Sequence, residues 1–126
     1  MLKILLVDDA NVDVMLTSIA LESCAIPHQL SVAHDGAEAY EILLERRIDL
    51  LLLDIKMPRV NGFDLLEKLR SAGRPPISTI ILSGSGLEAD RLRAHHLGAI
   101  EYIQKAVDFS AFKHELRGAM QKHGFC

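Results

Sequence analysis

The chain has 126 residues, 49% of them hydrophobic and 25% charged, with a formal net charge of -3. This composition suits one globular domain spanning 1–126 and excludes a disordered tail; there is no basic surplus to suggest a nucleic-acid partner. Nowhere do about 18 apolar residues run together, and the opening Met1-Leu2-Lys3-Ile4 lacks the apolar region and cleavage site of a signal peptide, so the expected location is the cytoplasm, with no membrane partner. Cys24 and Cys126 have neither metal-ligand spacing nor a disulfide-rich setting; they read as free thiols, with Cys24 serving helix packing.

In chain order, Lys3-Ile4-Leu5-Leu6-Val7 is an apolar run that suits a strand buried on both faces, and it ends in Asp8-Asp9. Asp9 or Asn11 is placed to cap a helix whose Val12, Met15, Leu16, Ile19 and Leu21 recur near helical spacing and are expected in the core; Pro27 marks its end. The segment 29–33 alternates polar and apolar residues, as a strand at an edge does. Asp35-Gly36-Ala37-Glu38 resembles a capping box for a helix through Tyr40, Leu43 and Leu44, closed by Arg46-Arg47 against its negative end. Leu50-Leu51-Leu52-Leu53 is the most apolar run of all, and it delivers Asp54 to the point where the strand stops. Pro58 then turns the chain before Asn61-Gly62 and a third helix, which Gly73 and Pro75-Pro76 terminate. A fourth strand at 78–82 leads into a flexible loop, Ser83-Gly84-Ser85-Gly86. A helix from about Leu87 to Leu97 follows, ended by Gly98. The strand at 100–104 precedes Lys105, and a last helix from near Asp108 sets Phe109, Phe112, Leu116 and Met120 on one face.

Five strands alternating with five helices call for an α/β fold, a parallel sheet covered on both faces by right-handed crossovers. The second and fifth strands are the least uniformly apolar and belong at the edges, which gives the order 2-1-3-4-5, the flavodoxin-like doubly wound arrangement. Its switch point lies between strands one and three, so Asp8, Asp9 and Asp54 should converge beyond their carboxyl ends, with Ser83 and Lys105 on the same rim. Carboxylates crowded in one crevice repel, and a hard cation bound through oxygen relieves this; Mg2+ accepts one or two carboxylates and leaves room for phosphate. Ionised Asp54 is also a competent nucleophile toward phosphorus, giving an aspartyl phosphate whose charge Lys105, Ser83 and loop amides would offset.

With Asp8-Asp9 after strand one, Asp54-Ile55-Lys56-Met57-Pro58 with Gly62, Ser83 after strand four, Tyr102 and Lys105, nearly the whole chain resembles the receiver domain of two-component response regulators, the stand-alone chemotaxis type included. The resemblance implies that Asp54 accepts phosphate from a sensor histidine kinase, a phosphotransfer protein or a small phosphodonor. It implies Mg2+ held by Asp9, Asp54 and the Lys56 backbone carbonyl, with Asp8 acting through water, and the phosphoryl group bound by Ser83 and Lys105. Ser83 and Tyr102 would form the switch, biasing the face of helix four, strand five and helix five toward a downstream protein target or a second copy of the chain. Such a domain modifies itself at Asp54 without turning over a substrate. One departure is Ala106, where the family usually has proline; a cis bond before alanine costs ~3 kcal/mol, so a trans bond is expected there.

Two other readings compete. A Mg2+-dependent phosphohydrolase working through an aspartyl phosphate needs a second acid two residues after its nucleophile, and here that position is Lys56. A receiver-like scaffold that binds partners without phosphorylation is the other, with the intact acidic cluster against it. Lys56 and Ser85 stand beside the site either as tuners of water access or as solvated loop residues, and His95-His96 belongs to a helix surface or partner-facing patch.

Overall fold

A computed structural model describes residues 1–57, 60–105 and 108–126; the turn expected at Pro58 and the departure at Ala106 lie outside the described residues. The elements are β1 (Leu2–Val7), α1 (Asn11–Glu22), β2 (His28–Ala33), α2 (Gly36–Glu45), β3 (Leu50–Leu53), α3 (Gly62–Ser71), β4 (Ser78–Ser83), α4 (Glu88–His96), β5 (Glu101–Gln104) and α5 (Phe109–Lys122). The strands form one parallel sheet in the order β2-β1-β3-β4-β5, as the polarity of the strands implied.

Side chains alternate across a strand, so the four leucines of β3 divide between two cores. Leu51 and Leu53 join Leu5, Val7 and Ile81 beneath Leu43 of α2, Phe63 and Leu66 of α3 and Ala94 of α4. Leu50 and Leu52 join Ile4, Leu6, Ile80 and Leu82 beneath Ala20 and Leu21 of α1 and Phe112, Leu116 and Met120 of α5. All four are 0% exposed, and at about 1.5–3 kcal/mol for each buried leucine they anchor β3 in both cores at once.

Helix α1 departs from the sequence reading. Val12, Met15 and Ile19 are 63%, 55% and 46% exposed; of the expected core residues Leu21 is buried, at 1%, and the helix buries Thr17 and Ala20 beside it. Neither Asp9 nor Asn11 caps it: the N-cap residue is Ala10, with no side-chain bond, and its N–H donates to Asp8 Oδ1 at 3.0 Å. The acids here are directed to the crevice, and the helix start gives way to them.

The other helix ends follow their local chemistry. Asp35 caps α2 by accepting the Glu38 N–H at 2.8 Å, while the Glu38 carboxylate takes the His34 N–H at 3.1 Å. Arg46 and Arg47 do follow α2, yet the guanidinium that reaches its last carbonyls is that of Arg74, donating to Leu43 O at 3.0 Å. Asn61 caps α3 through the Asp64 N–H at 3.0 Å. At Gly62 a Cβ would stand 2.7 Å from Asp54 O and 2.9 Å from Ile55 Cα, so only glycine allows α3 to begin this close to the end of β3.

Candidate functional site

Register places the acids. Val7 pairs with Leu53, and the chain then leaves the sheet on both strands together, with Asp54 N–H donating to Val7 O at 2.9 Å and Asp8 N–H to Ala33 O at 3.0 Å. Asp8, Asp9 and Asp54 each bring a carboxylate oxygen within 4.8 Å of the others. Asp8 and Asp54 are 1% and 7% exposed, whereas Asp9 faces solvent. Asp8 has one oxygen on the Ala10 N–H and the other on Lys105 Nζ at 2.9 Å. Asp54 Oδ1 accepts the Lys56 N–H at 3.3 Å, and its Oδ2 lies 3.6 Å from Lys105 Nζ.

Burial and the neighbouring Asp8 and Asp9 charges push the Asp54 carboxyl up to about 6, against the downward pull of Lys105 and of the Lys56 amide. Burial alone would lower Lys105, but its hydrogen bond to Asp8 and the Asp54 and Asp13 carboxylates outweigh that and hold it above the usual lysine value. One ammonium thus stands among several acids, an excess of negative charge that an oxygen-seeking divalent cation fits. The donor set is all carboxylate oxygen, which selects a hard ion over a soft one.

The third partner of Lys105 escaped the sequence reading. Asp13 Oδ2 accepts from Nζ at 3.0 Å, a second hydrogen bond beside that to Asp8, while Asp54 at 3.6 Å is an ion-pair neighbour. No local signal pointed to it: Asp13 lies in the first turn of α1, and its partner is 92 positions away in sequence.

Ser83, 0% exposed, ends β4 beside Lys105, whose N–H donates to Ser83 O at 2.6 Å. The Ser83 hydroxyl accepts the Ser85 N–H at 3.1 Å. Ser85 is neither solvated nor loosely held: it is buried, its hydroxyl donates to Asp90 at 2.6 Å and it accepts the Leu87 N–H at 3.2 Å, so the loop expected to be flexible is tied into the start of α4. Tyr102 donates its hydroxyl proton to Ser85 O at 2.8 Å, and Arg91 lies 4.7 Å over its ring. The residues expected of the switch therefore meet at one place, the Ser85 peptide, with Asp90 and Arg91 of α4 as partners that sequence spacing did not reveal. Lys56 is exposed, as a solvated loop residue would be.

The fold and the acid trio define a class: a doubly wound sheet that presents, at its switch point, a carboxylate cluster suited to a divalent cation. Residues 4–117 match the response regulator receiver domain family, and the chain belongs to it. It is 45% identical over 104 residues to the transcriptional regulatory protein CpxR of Escherichia coli, an alignment covering 82% of this chain and 42% of that protein. The chain thus spans less than half the length of the curated relatives it matches. Among solved structures it resembles the Mn2+-bound form of the response regulator Rcp1 (TM-score 0.84, 25% identity, 96% of this chain and 93% of that one). It also resembles the phosphorylated cyanobacterial phytochrome response regulator RcpA (TM-score 0.80, 31% identity, 94% and 91%). As a receiver domain of two-component systems it serves phosphorelay signal transduction. No helix among the described residues is long and apolar enough to cross a membrane.

Proposed function

We propose that Asp54 is the phosphoacceptor of this receiver domain, that Mg2+ is its cation, and that the phosphoryl group controls protein contacts through α4, β5 and α5. The observation that carries this is the placing of Asp54: a nearly buried carboxylate at the end of the central strand, 3.6 Å from Lys105 and clustered with Asp8 and Asp9. Asp9, Asp54 and the Lys56 carbonyl would hold the cation, with Asp8 acting through water. When bound, it supplies positive charge that lowers repulsion between the acids and an incoming phosphate.

The donor is a phosphohistidine of a sensor kinase or phosphotransfer protein, or a small acyl phosphate. An Asp54 oxygen forms a bond to phosphorus as the phosphorus–nitrogen bond breaks; the electron pair stays on the imidazole, which takes a proton from solvent. A carboxylate pushed toward pKa 6 is a better nucleophile than an ordinary one and remains ionised at neutral pH. Lys105 turns from Asp13 and Asp8 toward the new oxygens, and the Ser83 hydroxyl donates to one of them. Moving Ser83 breaks its bond with the Ser85 amide, and Ser85 holds both Tyr102 and Asp90. Phosphorylation in this way reweights the α4–β5–α5 face for a downstream protein or for a second copy of the chain, by as much as the phosphate prefers one arrangement.

Water later attacks the same phosphorus and releases inorganic phosphate, so the domain modifies and restores itself without turnover of a metabolite. Lys56, where a phosphohydrolase would carry its acid, is an exposed cation. The reaction takes place in the cytoplasm, where the kinases' phosphodonors are made. The test is intact-mass spectrometry after incubation with acetyl phosphate. Mg2+-dependent gain of one phosphoryl group by the native protein and none by Asp54→Asn is expected; equal gain by both places the acceptor elsewhere.

A further inference from the structure

The far end of α1 carries chemistry that the phosphoacceptor site does not use. Cys24 and Cys126, 102 positions apart in sequence, bring their sulfurs to 2.7 Å, whereas a disulfide is about 2.05 Å long. Both thiols are free and half-buried. They pack on the α1–α5 side of the sheet, and Cys24 Sγ is 3.9 Å from Met120 Sδ.

The approach is set by backbone. Cys24 N–H donates to Leu21 O at 3.1 Å as α1 closes. After α5, Gly124 takes φ +79, its N–H donates to Gln121 O at 3.2 Å, and Phe125 N–H donates to Met120 O at 2.8 Å. This is the paired bonding of a Schellman turn, which needs the left-handed conformation at Gly124 and folds the chain back over α1. Two hydrogen-bonded helix ends therefore aim the sulfurs at each other.

We propose that Cys24 and Cys126 are a redox modification site, closing to an intramolecular disulfide when the folded protein meets a low-molecular-weight disulfide such as oxidised glutathione. Burial and the neighbouring Cys126 sulfur push the Cys24 thiol up to about 12; exchange that starts at Cys126 and exchange that starts at Cys24 give the same bond. Starting at Cys126, its thiolate attacks one glutathione sulfur and expels the other glutathione as a thiolate. Cys24 then gives up its proton to solvent and attacks the Cys126 sulfur of the mixed disulfide, expelling the second glutathione. Two protein thiols are oxidised and one glutathione disulfide is reduced to two thiols. The bond clasps the end of α1 to the end of α5, on the opposite side of α1 from its junction with the acids.

The whole protein is incubated in buffers of stated oxidised-to-reduced glutathione ratio, then acid-quenched and mapped by peptide mass without reduction. A monomer that has lost two hydrogens, a Cys24–Cys126 linked peptide and full reversal by dithiothreitol are expected. Closure should be at least about tenfold more favourable in the folded state than in urea, because the fold raises the effective concentration of one thiol at the other. Cys24→Ser and Cys126→Ser should each yield only a glutathione adduct or no modification. Gly124→Val, which strains the turn, should weaken closure while the protein remains folded by circular dichroism. Stable glutathione adducts on both cysteines of the native protein, disulfide-linked dimers in place of the internal bond, or equal closure in urea would overturn the proposal.

Discussion

Asp54→Asn should stabilise the cation-free protein at neutral pH. An acid whose carboxyl is raised from 3.8 to about 6 on folding binds its proton more tightly in the native state than in the unfolded one. The native fold therefore loses stability as pH rises through that window, and above about pH 6 the full cost is present. Roughly two pK units correspond to about 3 kcal/mol, or on the order of 10 °C in melting temperature for a domain of this size. Asparagine removes the charge and keeps the shape, and Lys105 is not orphaned, because Asp8 and Asp13 hold it at 2.9 and 3.0 Å, closer than Asp54 at 3.6 Å. Urea unfolding of both proteins in chelator from pH 4 to 8 measures the gap. It should be near zero at pH 4, grow through pH 5–6 and level off by pH 7. Added Mg2+ should shrink it, since a ligand bound by the native carboxylate stabilises the native protein in proportion to its occupancy. Equal stability at pH 7, or a gap that widens on acidification, would refute the claim that burial and the neighbouring acids strain Asp54.

Lys105→Met leaves the buried Asp8 and Asp54 with no ammonium and should cost about 3–5 kcal/mol in chelator at pH 7, recovering on acidification or with a divalent cation; a native-like urea midpoint would show that Lys105 does not neutralise them. Asp13→Asn releases one of the three holds on Lys105, so single-turnover phosphorylation by acetyl phosphate should speed by about two- to fivefold, the worth of one weak charge-assisted bond; a slower reaction would mean that Asp13 positions the lysine productively. Gly62→Ala forces backbone apart at Asp54 and Ile55 and should cost about 1–3 kcal/mol and slow phosphorylation at saturating Mg2+; a native-like urea midpoint and rate would show that the backbone yields there. At a subsaturating Mg2+ concentration, phosphorylation of the native protein should fall as pH drops through about 6, because the proton on Asp54 competes with both the cation and the phosphodonor. A flat rate from pH 7 to 5, measured with a donor whose own charge is constant there, would count against Asp54 as the nucleophile.

The strands and the acid trio were legible because both depend on local pattern. A run such as Leu50 to Leu53 has no polar face, so it must be central, and whatever follows it must emerge at the sheet's carboxyl edge. The rotation of α1 was not legible. Val12, Met15, Leu16 and Ile19 make a better apolar stripe than Asp13, Thr17 and Ala20, and periodicity alone prefers them. In the structure Asp13 meets Lys105 instead, and the face that α1 turns inward carries Thr17, Ala20 and Leu21. Asp13 was invisible as a determinant because its partner is 92 positions away in sequence. The contacts of Ser85, Arg74 and Cys126 were missed for the same reason: each joins segments that only the tertiary fold brings together.

The all-leucine third strand has one more consequence. Four identical side chains carry no address, and sliding β3 by one place along β1 and β4 would still present leucine to most of both cores. What a slide changes is the residue that follows leucine into the interior. The run is bracketed by acids: Asp49 accepts the Lys3 N–H at 2.8 Å at one end, and Asp54 leaves the sheet beside Val7 at the other. A slip in either direction draws a carboxylate between apolar neighbours with no cation to meet it, at a cost of several kcal/mol. The same aspartate that supplies the chemistry thus acts as an end-stop, telling an otherwise featureless strand where to halt.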